Sequence, residues 1–428
     1  MKNVLIVTYY FPPSGGSGVQ RWLKFVKYLP AFGIRPIVLS VDPAQASYAQ
    51  TDESLLGEIP AEAVVCRSET HELYGLYKRL TGEKNVPSGG IPKPQKHAFW
   101  HKMARFVRGN FFLPDPRRGW NRPAFKAACE LIGRYGIDTV ITTSPPHSSQ
   151  LIGLKLKKHY PHLRWIADFR DPWTDIFFYR DLYPTALADA INHRYERQVL
   201  EACDRVLVTC DTAARSFAAK SDRIGPEKFT VITNGYDEED VERALADFHP
   251  TPSNKLTISY FGVINLVNEH ELDGLFEALR RYASRKAVCL RFYGQSTDKL
   301  CRLIPEDLQD SIELCPYLPH DEALRSMAQS DLLLMINHQG DSASAVIQAK
   351  VFEYMAVGRP ILCLSETPDS DTARIIADCQ AGKTLRHADH AGIGAFLDQV
   401  HEMPAPLQER IQTFSRRHLC QQLAGLLN

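Results

Sequence analysis

Short apolar runs bounded by turn residues recur along the chain, separated by stretches whose apolar residues repeat at helical spacing. A strand buried on both faces needs a continuous apolar run, whereas the helix covering it needs only one apolar stripe, so this alternation marks β-α units around a parallel sheet. The runs fall at residues 4–10, 36–41, 63–68, 139–145, 164–169, 205–210 and 229–233, and again at 256–262, 288–294, 312–318, 332–337 and 360–365. Between the two sets lies His249-Pro250-Thr251-Pro252-Ser253-Asn254, a breaker cluster that reads as a linker. The pattern predicts two Rossmann-like, doubly wound α/β domains with parallel sheets, over residues 1–240 and 255–405. A terminal amphipathic helix over 406–428, with Leu407, Ile411, Phe414, Leu419, Leu423 and Leu427 on one stripe, is expected to pack back across them.

With 428 residues the chain is long enough for two sizeable cores. Its 50 Lys plus Arg balance 50 Asp plus Glu, so no overall field draws it to nucleic acid, and electrostatic steering must be local. The ten cysteines include no Cys-x-x-Cys pair and lie mostly in apolar runs, which suggests a reducing compartment. The first residues show neither a cleavage site nor an apolar stretch near 18 residues, so a cytoplasmic protein that does not span a membrane is expected.

In doubly wound sheets ligands meet the carboxyl ends of strands, so the loops there carry the candidate chemistry. After the first run, Gly15, Gly16 and Gly18 precede Arg21-Trp22-Leu23, which opens a helical pattern. Glycines let backbone N–H groups approach a phosphate, although a plain surface turn has the same composition. The third glycine of a dinucleotide fingerprint is replaced by Arg21, and the Lys of a P-loop is missing. After the fourth run comes Ser144-Pro145-Pro146-His147; His147 is placed to meet a sugar hydroxyl or phosphate oxygen, or simply to cap the next helix. The fifth run ends in Asp168-Phe169-Arg170-Asp171-Pro172-Trp173, charges that require either partners or a cleft. The longest signal is residues 341–360: Asp341 and two serines, an uninterrupted helical stretch containing Lys350 and Glu353, then Gly358 and Pro360 as stops. Helix N–H groups and Lys350 suit a diphosphate and Glu353 a ribose, while ordinary exposed Lys and Glu would look the same.

Taken together and in this order, these segments resemble a GT-B glycosyltransferase of glycosyltransferase family 4 along nearly the whole chain. The resemblance implies two Rossmann-like domains facing a cleft, a nucleotide diphosphate sugar as donor, no metal, and transfer with retention. It implies that Gly15 and Gly16 face the donor diphosphate and that His147 meets the donor sugar. Asn234-Gly235-Tyr236-Asp237 looks like the family's turn before the crossover, and Tyr260-Phe261-Gly262 like the first strand of the donor domain. Glu353, followed by Tyr354-Met355-Ala356-Val357-Gly358-Arg359-Pro360, matches the second of the family's two glutamates, which binds the nucleotide ribose. The first glutamate is replaced by Ala345, with Asp341 as a substitute from the same loop. The family's Arg and Lys after the glycine are also missing, for the chain reads Val263-Ile264-Asn265-Leu266-Val267. The leaving diphosphate must then be stabilised by Lys350, by helix N-termini or by Arg21, with Lys350 first in rank.

Residues 93–126 hold nine basic side chains, including Arg118, against the single acid Asp115, interleaved with Phe99, Trp100, Phe106, Phe111, Phe112 and Trp120. This suits either an anionic bilayer surface or a solvated basic face over core aromatics, and no nucleic-acid reader motif accompanies it. The resulting expectation is a cytoplasmic enzyme, peripheral at the inner face of the cell membrane. It would move a hexosyl group from a nucleotide sugar to a glycan or lipid-linked acceptor in bacterial surface polysaccharide synthesis. His147 and Lys350 act in catalysis; Gly15, Gly16, Arg21, Asp341 and Glu353 bind donor; Arg170, Asp171 and Arg118 face the acceptor or cleft. A sugar nucleotide epimerase of related fold and a non-catalytic scaffold are the rival readings.

Overall fold

Seven apolar runs of the first half assemble into one parallel sheet: β1 (Lys2–Val7), β2 (Ile34–Val41), β3 (Val64–Ser68), β4 (Thr139–Ser144), β5 (Arg164–Phe169), β6 (Arg205–Val208) and β7 (Phe229–Val231), in the order β3-β2-β1-β4-β5-β6-β7. In the centre, Ile6 pairs with Val38 on one side and Ile141 on the other. Val4 to Val7 are fully buried, which accounts for the unbroken apolar run that marks this strand. Helices cover the sheet, and one core packs Leu5, Val7, Leu39 and Val140 against Trp120, Ala124, Ala128 and Leu131.

The second half forms a six-stranded parallel sheet: β8 (Leu256–Phe261), β9 (Val288–Tyr293), β10 (Ile312–Cys315), β11 (Leu332–Ile336), β12 (Ile361–Leu364) and β13 (Gly382–Leu385), in the order β10-β9-β8-β11-β12-β13. β13 has no counterpart among the predicted runs. It is an edge strand in which only Leu385 is buried, so it carries no apolar alternation to detect. The core beneath the sheet joins Ile258, Leu290 and Leu334 to Leu275, Leu279, Phe396 and Leu397.

The computed structural model describes residues 1–71, 98–264, 270–294, 298–337 and 346–428. It divides into two units, Met1–Thr233 with Cys420–Asn428, and Asn234–Leu419. The division falls at Asn234, ahead of the breaker cluster at 249–254. The intervening helix, Glu238–Leu245, is held to the second unit: Arg243 pairs with Asp321 at 2.9 Å, and Arg325 donates to the Ala244 carbonyl at 2.8 Å. The expected single terminal helix is two helices, Gln408–Gln412 and Arg416–Leu427. They are interrupted where Phe414 O accepts the Tyr236 N–H and Tyr236 O accepts the Arg416 N–H, so the backbone there bonds sideways instead of along a helix.

In each sheet the strand order reverses next to its first strand, at β1/β4 and at β8/β11. A crevice opens outside the carboxyl ends at such a switch point, because the flanking connections leave toward opposite faces. Topology alone thus selects the loops after β1 and β4 in one unit and after β8 and β11 in the other.

Candidate functional site

In the first unit the loop after β1 is fastened before it reaches its helix. Gly15 N–H donates to Gln50 O at 3.0 Å, and Asp52 N–H donates to Pro13 O at 2.7 Å. Gly16 caps the helix Ser17–Tyr28 at φ 86°, a left-handed value that favours glycine, and a side chain on Gly15 would press on Gln50 and Asp52. The turn is therefore built, and its geometry excludes anything larger than glycine without rearrangement.

Arg21 was expected to face the donor phosphates; the structure spends it elsewhere. Its side chain is buried, bonding Asp168 Oδ1 through Nε (3.2 Å) and Nη2 (2.9 Å) and Thr233 O through Nη1 (2.8 Å). Asp168, also buried, accepts from Trp22 Nε1 at 2.8 Å and Thr143 Oγ1 at 2.7 Å through its other oxygen. This answers the charges at the end of β5: a buried carboxylate needs several donors, and Asp168 has them from three residues on two elements, the helix Ser17–Tyr28 and β4. Arg170 is likewise engaged, holding the glycine loop by donating to Gly18 O at 3.0 Å and pairing with Asp171 at 3.3 Å. Arg118 is exposed and donates to Leu113 O at 3.0 Å, a local turn contact.

His147 precedes the helix Ser148–His159 after β4, but it does not cap the helix with its side chain. That task falls to Asp115, whose carboxylate accepts from Ser148 N at 2.7 Å and Ser148 Oγ at 2.9 Å. The imidazole instead stacks on Trp173 with centroids 4.9 Å apart and planes 10° from parallel. Its Nδ1 is buried without a partner. Burial, reinforced by the neighbouring Arg170 charge, lowers its pKa to about 3, so the ring is neutral at ordinary pH. A neutral, stacked imidazole at the switch point can exchange hydrogen bonds with a sugar hydroxyl.

In the second unit the predicted helix is shorter than its sequence pattern. It runs over Lys350–Ala356, and residues 346–349 lack regular helix. The β-branched pair Val346-Ile347 resists helix, and Gln348 Nε2 anchors the segment by donating to Ile336 O, at the end of β11, at 2.7 Å. Asp341 and Ala345 lie outside the described residues. Lys350 and Tyr354, four apart and so on one helix face, both reach the end of β8. The Tyr354 hydroxyl accepts the Phe261 N–H at 2.9 Å, and Lys350 Nζ donates to Phe261 O at 3.1 Å. The ammonium lies 3.7 Å from the Tyr260 ring centroid. Gly262 follows at φ 116°, and a side chain there would stand 3.8 Å from Lys350 Nζ.

The surroundings of Lys350 are nearly apolar. Burial lowers its pKa to about 7, while burial raises Tyr260 and Tyr354 and pushes Cys363 up to about 12, so none of these offers it an anion near neutrality. Glu353 turns away to His320, whose Nε2 lies 3.0 Å from Oε1. Sequence reading missed His320, because nothing links it to Glu353 except the fold. It also missed the buried His387, bonded through Nδ1 to Glu366 at 2.8 Å at the carboxyl ends of β12 and β13.

The basic segment divides. Trp120 and Arg117 are buried in the first unit, Trp120 donating to Ser68 Oγ at 2.8 Å, so this part belongs to the domain interior and not to an external face. The helix Ala98–Phe111 instead exposes Lys102, Met103, Phe106 and Phe111, the last 75% exposed. It packs against the segment carrying exposed Tyr183 and Leu187: Asn110 donates to Tyr183 O at 3.0 Å and accepts from Thr185 N at 2.7 Å. Lys93 and Lys96, and the side chains of Phe99 and Trp100, lie outside the described residues. No helix among the described residues is long and apolar enough to cross a membrane.

Residues 86–240 match the sequence model of Glycosyltransferase Family 4. No curated protein sequence matches the chain. Solved structures resemble it along its length. One is sucrose-phosphate synthase from Thermosynechococcus elongatus, at 13% identity and TM-score 0.60, covering 100% of this chain and 98% of that one. Another is WaaG, a glycosyltransferase involved in lipopolysaccharide biosynthesis, at 14% and 0.52, covering 99% of each. A third is a putative UDP-N-acetylglucosamine 2-epimerase from Listeria monocytogenes, at 12% and 0.52, covering 100% and 96%. At such identities the likeness fixes the fold and not the reaction. Both units thus share the fold of these structures, and residues 86–240 resemble Glycosyltransferase Family 4 in sequence.

Proposed function

We propose that the protein transfers a hexosyl group, with retention and without a metal, from a nucleotide diphosphate sugar to a glycan or lipid-linked acceptor. The observation that carries this reading is the position of Lys350. The sequence lacks cations after Gly262, yet the fold brings an ammonium from 88 positions later to the backbone of Phe261 and Gly262. A leaving diphosphate needs positive charge at that strand end, and Lys350 supplies it from another element. Among the described residues Phe261 O is its one hydrogen-bond acceptor, which leaves donors for phosphate oxygens. Glu353 would exchange His320 for a ribose hydroxyl, and Asp341 would meet the donor sugar. In the first unit the glycine loop would admit the diphosphate closely, and neutral His147 would hold a sugar hydroxyl at the reacting centre.

The exposed face of Ala98–Phe111, with Lys102 beside Met103, Phe106 and Phe111, supports a peripheral position at an anionic cytoplasmic membrane surface, where a lipid-linked acceptor is met. Bacterial surface polysaccharide synthesis is the setting proposed, in keeping with the role stated for WaaG.

The test is incubation with a panel of nucleotide sugars, with and without membrane lipid extract, measuring released nucleoside diphosphate. Release that requires the extract supports transfer. Conversion of the sugar nucleotide without an acceptor would favour an epimerase, and donor binding without turnover a scaffold.

A further inference from the structure

After β5 the chain turns through residues 170–175, and polar side chains from the helix Ala186–Ala202 and from the end of the helix Asp211–Ala218 hold three consecutive residues of that turn. Trp173 donates through Nε1 to Asn192 Oδ1 at 3.3 Å, and Asn192 in turn donates to Ala188 O at 3.2 Å. Thr174 gives both its N–H (3.3 Å) and its hydroxyl (2.5 Å) to the Glu196 carboxylate. Lys220 reaches Glu196 Oε2 and Asp175 Oδ2, each at 2.9 Å, and Asp175 also accepts from Ser216 Oγ at 2.6 Å. Glu196 is fully buried, and Trp173, Thr174 and Asn192 are nearly so.

A buried carboxylate and its lysine are costly to take out of water, and apolar residues of similar volume often hold a fold equally well. What a fully bonded polar network adds is a defined geometry, because its donors and acceptors fit one arrangement. Here the network fastens the backbone N–H and hydroxyl of Thr174, the residue next to Trp173. The indole so held lies face to face with the His147 imidazole, 10° from parallel. The His147 side chain makes no hydrogen bond to a described residue, its Nδ1 being buried without a partner, so among the described residues Trp173 is what sets its ring plane.

We propose that Trp173 is a positioning residue for His147: its indole fixes the plane of the imidazole, and Asn192 with the Glu196–Lys220 pair fixes the indole. A group that acts on a substrate has to be held within roughly 10–20° of its productive orientation, and a misplacement of about 1 Å can cost about a hundredfold in rate. The loop 170–175 thus acts on the reacting centre through His147 and not by touching substrate. That a fixed imidazole serves transfer rests on the reading above, whereas the fixing itself does not.

The experiment is a double-mutant cycle on the full chain between Trp173→Leu and His147→Ala, with kcat and KM measured for the donor and acceptor that the panel above selects. Trp173→Leu should lower kcat about tenfold and change KM less than about threefold, and it should cost nothing further once His147 is replaced. Trp173→Phe, which keeps a ring face, should recover most of the rate. A loss of the same size with and without His147 would mean that Trp173 only supports the fold, and it overturns the proposal. Nuclear magnetic resonance on the chain with isotope-labelled histidine reads the same claim without turnover. The His147 ring-proton signal, identified by its loss in His147→Ala, should lie upfield of the exposed histidines because the indole shields it. Trp173→Leu should return it downfield, and Glu196→Gln, which leaves Lys220 unbalanced, should move it part of the way. Should Trp173→Leu not fold, Asn192→Leu, which releases the indole N–H, takes its place in both measurements with a smaller change in the same direction. An unshifted His147 signal in the wild-type chain, or one indifferent to every folded variant, overturns the proposal. If no donor turns over, the transfer reading fails by itself and the His147 signal decides this one.

Discussion

The two units place positive charge at their switch points in opposite ways. In the first, Arg21 is sealed against Asp168, and Arg170 is tied to Gly18 and Asp171, so each cation is already engaged within the unit. In the second, among the described residues, Lys350 touches one carbonyl and one aromatic ring and pairs with no carboxylate. The pair of units shows that a charged residue in the right loop can be scaffold or receptor, and that its partners decide which. A charge compensated inside the protein has little left for a ligand, whereas an uncompensated one gains most when an anion arrives.

The comparison breaks most sharply at Asp168. Asp168→Ala leaves Arg21 buried without its counter-ion and should cost about 3–5 kcal/mol of stability. Denaturant titration checks this, and a loss under 1 kcal/mol would mean that Arg21 is free to serve a ligand. His147→Ala should leave the fold intact and lower kcat about a hundredfold, with a smaller change in KM. Because the imidazole stays neutral down to about 3, the wild-type rate should show no limb from this residue between pH 5 and 8.

Lys350→Met should weaken donor binding by about 2 kcal/mol, roughly thirtyfold, with stability unchanged or improved since a buried charge is removed. Calorimetry with the preferred donor decides it, and full affinity in the variant would remove Lys350 from the site. The pH dependence follows from a pKa near 7 in the free protein. Above that value the amine is neutral until a diphosphate draws a proton onto it, so donor affinity should fall up to about tenfold for each pH unit above 7, with proton uptake on binding. Stability moves the other way: between about 7 and the unperturbed 10.5 the unfolded chain holds a proton the fold lacks, so stability rises with pH there. Lys350→Met should flatten both slopes. The smallest effect is expected for Glu353→Ala, about 1 kcal/mol in donor affinity, because the lost ribose contact is offset by the His320 contact that no longer has to be broken.

Much of this arrangement was legible before the structure. Twelve of the thirteen strands announce themselves as apolar runs, because strands inside a parallel sheet are buried on both faces. β13 escapes because Gly382, Lys383 and Thr384 give it no apolar run ahead of Leu385. Gly16 is legible because its left-handed backbone admits little else. Partners far apart in sequence were not legible. Arg21 and Asp168 stand 147 positions apart, and Lys350 and Phe261 stand 89 apart.

What the sequence by itself determined is therefore the periodic part: two parallel-sheet units, their loops, and the residue types those loops contain. Only the tertiary structure decided which of those residues were already satisfied. Periodicity is a local property, written in burial every second or fourth position, while the compensation of a charge depends on whichever distant element folding brings against it.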